Sequence, residues 1–139
     1  MTAGTLIDAG PIVVMLHADD LDHTICVDTF KGIPGPVFTT WMPVTEAMYL
    51  LGFSLRAQES LLRMLQRQAI RILPIDLADP DPIAILMNKY KDLPMDFPDA
   101  TLVQVAHREQ VQRIFTLDKN DFSIYRVPNG NALEILPGY

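Results

Sequence analysis

Four short runs rich in apolar and β-branched residues, Leu6–Asp8, Val37–Thr40, Ile70–Ile75 and Arg113–Leu117, alternate with stretches long enough for helices. Nothing else in the chain narrows its architecture as much. A helix is expected from Ile12 to His17 with Pro11 in its first turn. A second begins near Asp19 or Asp20 and stops before the Gly32–Pro36 loop. Helices are also predicted over 43–51, after a Ser54 cap with Leu55, Leu61, Leu62, Leu65 and Ala69 at helical spacing, and from Asp79 or Asp81 to about Lys91. A last one runs from Asp99 to about Gln110, after the Leu93–Pro98 loop, and Ala132–Leu136 offers a short final strand. Strands that alternate with helices in this way form a mostly parallel sheet covered on both faces, an α/β fold in three layers, α/β/α.

The 139 residues, 49% of them apolar, suit one domain over 1–139 with an ample core. No apolar run approaches the ~20 residues of a membrane span. Met1–Gly4 lacks the basic stretch of a secretory leader, and Cys26, expected as a small buried residue, is the only cysteine. A cytoplasmic, non-membrane protein is the expectation. The net charge of −6 argues against an autonomous phosphate-gripping nucleic-acid binder. It argues less against a nuclease, because a carboxylate site must be counted with its cations in place.

Ligands of parallel α/β sheets bind beyond the carboxyl ends of the strands. Asp8 ends the first strand and Asp118 follows the fourth, so both belong to the same edge. Glu46 lies in the helix that leaves the second strand, and Asp99 starts a helix. Each has an ordinary explanation as well. Aspartate is common turn chemistry at a strand end and a common helix cap, and Asp99 taken alone reads as a cap. Glu46 stands among Val44, Ala47, Met48, Leu50 and Leu51, where a carboxylate is costly unless paired or bound to metal. His17, His23 and His107 are scattered, and no zinc or nucleophile–histidine spacing competes.

Leu6-Ile7-Asp8-Ala9-Gly10-Pro11 resembles the opening strand motif of PIN domains, particularly the VapC-like toxin ribonucleases. Glu46 in Pro43-Val44-Thr45-Glu46-Ala47 is similar to their second acidic position, and Asp96-Phe97-Pro98-Asp99-Ala100-Thr101 resembles the third. Phe115-Thr116-Leu117-Asp118-Lys119-Asn120-Asp121-Phe122 resembles the closing motif. The segments stand in family order over residues 6 to 122. The resemblance implies a PIN-like fold and hydrolysis of RNA phosphodiester bonds with Mg²⁺ or Mn²⁺, held by Asp8, Glu46, Asp99 and Asp118 as metal-binding and catalytic residues. Asp8 and Asp99 are the most direct ligands on this view, and Asp96 and Asp121 are spare acids. An RNA substrate, an antitoxin and a second copy of the chain in a homodimer are the implied partners.

Gly10 departs from the family, many of whose members carry Ser, Thr or Asn there, and this keeps open a binding module with weak or no catalysis. The same Gly10 counts against a phosphatase of the haloacid-dehalogenase type, which needs an aspartate at that position. Arg56, Arg63 and Arg67 share a helix face, read as a solvated surface or as a strip that guides RNA. Trp41, Met42 and Tyr49 read chiefly as core, with a partner surface as the alternative, and Thr116 as strand filler or a donor near the site.

Overall fold

The strands Thr5–Ile7 (β1), Val37–Thr39 (β2), Arg71–Ile72 (β3), Arg113–Phe115 (β4) and Glu134–Leu136 (β5) form one sheet in the order β3-β2-β1-β4-β5. The computed structural model describes residues 4–93 and 95–138. Met1–Ala3 of the leader reading and Pro94 of the expected loop lie outside them. Every strand pair is parallel, Leu6 standing opposite both Phe38 and Ile114. The side-chain alternation of a strand then splits the core in two. Leu6, Phe38 and Ile114 face one apolar cluster, and Ile7, Val37 and Phe115 face the other.

The helices Ala9–Met15 (α1), His23–Gly32 (α2), Trp41–Leu50 (α3) and Leu55–Gln66 (α4) cover the second cluster; Pro80–Lys89 (α5), Phe97–Glu109 (α6) and Lys119–Ile124 (α7) cover the first. The three-layer sandwich expected from the alternation is present, with a sheet that is wholly rather than mostly parallel.

Several local expectations need correction. The 70–75 strand shrinks to two residues, because Leu73 N–H closes the pairing on the Thr39 carbonyl and Pro74 follows. Helix α7 was not expected; six residues with one buried apolar side chain, Phe122, carry too little periodicity to announce it. On α4 only Ala57 and Leu61 are buried, while Leu55 and Leu62 are 69% and 50% exposed, one strip around from the core. Trp41 and Tyr49, read as core, are 51% and 84% exposed. The buried face of α3 is Pro43, Val44 and Ala47, and residues 41 and 49, eight apart, share another side. Ser54 caps α4 as expected, accepting from Ala57 N–H at 3.1 Å, and Cys26 is fully buried, which pushes its thiol up to about 11.

A polar clamp forms around a buried aspartate that is not one of the four motif acids. Asp79, 2% exposed, accepts from Gln104 Nε2 at 2.9 Å, from its own loop at Asp76 N–H at 2.7 Å, and from Arg108. Arg108 also donates to the Pro74 carbonyl at 2.8 Å, so it fastens α6 to the loop after β3.

Candidate metal centre

The chain order decides where a site can form. From β1 the chain winds outward through β2 to β3, then returns to the other side of β1 for β4 and β5. The crevice between β1 and β4 is therefore the point where the winding reverses, the usual ligand position in such sheets. Asp8 directly follows β1, and Asp118 lies three residues beyond β4.

Asp8 is the N-cap of α1. One carboxylate oxygen, Oδ1, accepts from Ala9 N–H at 2.8 Å, and the other, Oδ2, from Thr116 Oγ1 at 3.0 Å. Thr116 Oγ1 also accepts from Asp118 N–H at 3.0 Å, so a single hydroxyl couples the first and fourth acidic positions. Thr116 is thus a donor at the site, not strand filler.

Helix α6 begins at Phe97, and its cap is Asp96, which accepts from Asp99 N–H at 2.9 Å. This corrects the reading of Asp99 as the cap. Asp99 stands third in the helix with its carboxylate free for other work, and it takes a hydrogen bond from Tyr125 Oη at 3.2 Å. Asp118 caps α7, and Asp121 stands in the first turn of that helix.

Asp8, Glu46, Asp99 and Asp118 all line one open depression of roughly 450 Å³, and Asp96 and Asp121 line it too. Among the described residues, the one trio of ligand atoms lying within 4.8 Å of one another comes from Asp99, Asp118 and Asp121. Asp121 is therefore closer to the centre of the site than its place as a spare acid implied. Glu46 lines the pocket from α3 half-buried, not enveloped as its apolar sequence neighbours implied, and of those neighbours Leu50 is itself exposed. Gly10 also lines the pocket. Tyr125 was missed altogether, although 118, 121 and 125 are spaced as one face of a short helix.

The electrostatics are those of acids deprived of counter-charge. Burial pushes Asp8 up to about 6, with the charges of Glu46 and Asp96 adding and the bonds from Ala9 and Thr116 opposing. Asp99 is pushed up to about 8, first by burial, then by Asp8 and Asp96, with Tyr125 opposing. Glu46 and Asp118 are raised by burial and then by Asp96 and Asp121 respectively. Asp79 is the internal contrast. Burial would raise it too, but Gln104, Asp76 N–H and Arg108 outweigh burial and hold it low. A buried carboxylate in this fold is held low where a cationic side chain packs against it, and among the described residues neither Asp8 nor Asp99 is ion-paired. A set of converging carboxylate oxygens fits a hard divalent cation such as Mg²⁺ or Mn²⁺.

The family model of the PIN domain matches residues 5–128. The chain belongs to the PIN-domain family. Over 134 residues this PIN domain is 25% identical to ribonuclease VapC26 of Mycobacterium tuberculosis, a match that covers 95% of this chain and 99% of that one. Its fold superposes on that of the toxin VapC20 of Mycobacterium tuberculosis with a TM-score of 0.76, at 16% identity over 86% of this chain and 92% of the other. A toxin–antitoxin complex from Klebsiella pneumoniae gives 0.67 at 18% identity, covering 97% and 98% of the two chains. No helix among the described residues is long and apolar enough to cross a membrane.

Proposed function

We propose that this PIN domain is a divalent-metal-dependent endoribonuclease of the VapC type, working in the cytoplasm as the toxin of a toxin–antitoxin pair. The observation that carries the reading is the acid-lined pocket at the reversal of the sheet, where Asp8 and Asp99 are each 8% exposed and, among the described residues, neither is ion-paired. The likeness to a ribonuclease over nearly the full length of both chains supports the substrate. RNA, an antitoxin and a second copy of the chain are its proposed partners.

Asp99, Asp118 and Asp121, whose carboxylate oxygens converge, would hold the ion, and Asp8 lines the same pocket as a further ligand. A bound Mg²⁺ or Mn²⁺ supplies a Lewis acid for the phosphate and a water of lowered pKa. The chain's own contribution is positional. Ala9 N–H and Thr116 Oγ1 fix both oxygens of Asp8, and Asp96 fixes the first turn that carries Asp99. Glu46, raised from its ordinary value by burial and then by the charge of Asp96, lines the pocket from α3 and is placed to accept a proton from the attacking water. A module that only binds has no use for six carboxylates around one depression.

Cleavage of a single-stranded RNA by the purified chain tests this. Activity should require Mg²⁺ or Mn²⁺, disappear in EDTA, and fall by roughly 10²-fold or more in Asp8→Asn and Asp99→Asn. Cleavage that persists in EDTA, or in both variants at the wild-type rate, would refute it.

A further inference from the structure

One short stretch of chain serves all three of the most tightly crowded carboxylates. Asp118 caps α7, Asp121 stands in its first turn, and Tyr125 is the residue on which the helix ends. From there Tyr125 Oη donates to Asp99 Oδ2 at 3.2 Å, across 26 residues of sequence. Tyr125 is 1% exposed. Its ring meets Tyr90 edge-on at 5.1 Å and Phe122 at 5.2 Å, so it is packed edge-to-face against two neighbours. Tyr90 is itself pinned, its hydroxyl oxygen accepting Arg126 N–H at 2.8 Å. The acceptor offered to the buried tyrosine is not a backbone carbonyl but a carboxylate at the pocket wall. Among the described residues no second side-chain donor engages that carboxylate, so its other oxygen remains for a ligand.

We propose that Tyr125 is a positioning residue of the metal centre, its hydroxyl holding Asp99 by Oδ2 so that the remaining oxygen serves a cation shared with Asp118 and Asp121. This rests on the functional reading only in taking Asp99 as a ligand. Groups that orient a metal ligand from behind set its affinity, and their loss costs about 10- to 100-fold. The aromatic cluster thus transmits the rigidity of the core to one carboxylate.

The test is calorimetric titration of Mn²⁺ into the intact metal-free chain as wild type, Tyr125→Phe and Tyr90→Phe. Tyr125→Phe keeps the ring and should bind Mn²⁺ about tenfold more weakly. Tyr90→Phe removes a hydroxyl from the same cluster without touching a carboxylate, and should bind as the wild type does. In RNA cleavage at limiting Mn²⁺, Tyr125→Phe should lose kcat with KM unchanged, and more Mn²⁺ should restore it. Mg²⁺ should also perturb the near-ultraviolet tyrosine absorption of the wild type and of Tyr90→Phe, a signature that needs no folded Tyr125 variant. Wild-type affinity in Tyr125→Phe, equal weakening in Tyr90→Phe, or a silent tyrosine spectrum would overturn the inference. A wild-type chain that binds no Mn²⁺ would instead bring down the metal-site reading, and this inference with it.

Discussion

Replacing Asp8 by Asn should stabilise the metal-free protein at pH 8, although it removes a residue placed at the heart of the site. Asp8 is 8% exposed, and its carboxyl rises from 3.8 to about 6 on folding. At ~1.4 kcal/mol per pH unit, ionised Asp8 costs the native state about 3 kcal/mol. Asparagine keeps the Oδ1 acceptor for Ala9 N–H but turns the other end into a donor facing Thr116 Oγ1, which forfeits about 1 kcal/mol. The net gain is about 2 kcal/mol, or roughly 6 °C in Tm for a chain of this size. The sign follows from proton binding. A folded-state pKa above the unfolded value means that the native state holds the proton more tightly, so stability is full below pH 3.8 and is lost as pH rises through about 6. The advantage of Asp8→Asn should therefore vanish near pH 4. Thermal unfolding in EDTA at pH 4 and pH 8 measures it. With saturating Mn²⁺ the order should reverse, because only the wild type gains from binding. An Asp8→Asn variant that is less stable than wild type in EDTA at pH 8 would refute the claim that the pocket is a charge awaiting a cation.

Affinity for Mn²⁺ should rise steeply between pH 5 and pH 8, since Asp8 and Asp99, pushed up to about 6 and about 8, must both shed protons to bind; a flat pH profile in calorimetry would count against them as ligands. Arg108→Ala should cost about 3 kcal/mol in urea unfolding, because it strands Asp79 at 2% exposure; a loss below ~1 kcal/mol would show the clamp to be dispensable. Gly10→Ser should fold normally and gain about 0.5 kcal/mol, for a Cβ there meets only Leu117 at 3.7 Å and a helix turn loses a glycine; destabilisation beyond ~1 kcal/mol would mean that the position is closed to a side chain.

The acids were legible where local chemistry betrays them. Asp8 and Asp118 stand next to strands whose apolar runs are unmistakable, and parallel strands put their carboxyl ends on one edge whatever their order. The motifs around Glu46 and Asp99 pointed to the same set. Where a signal was weak the reading erred: the helix was started at Asp99 because Pro98 obscured its true start at Phe97, and Trp41 and Tyr49 passed for core because their hydrophobicity outweighed their phase on the helix.

What the amino-acid sequence determined by itself was the alternation, the two-sided burial and the strand ends on which carboxylates fall, since each depends on side-chain periodicity over a few residues. The meeting of Asp8 with Thr116 across 108 residues, and of Tyr125 with Asp99 across 26, was decided only when β4 settled beside β1 and the end of α7 reached the first turn of α6. The same holds for the difference between Asp79 and Asp99, two buried aspartates of which one is paired with an arginine 29 residues away and the other, set among acids, is pushed toward its protonated form. A carboxylate's energy is set by everything within a few ångströms of it, and in a folded chain most of those neighbours are distant in sequence.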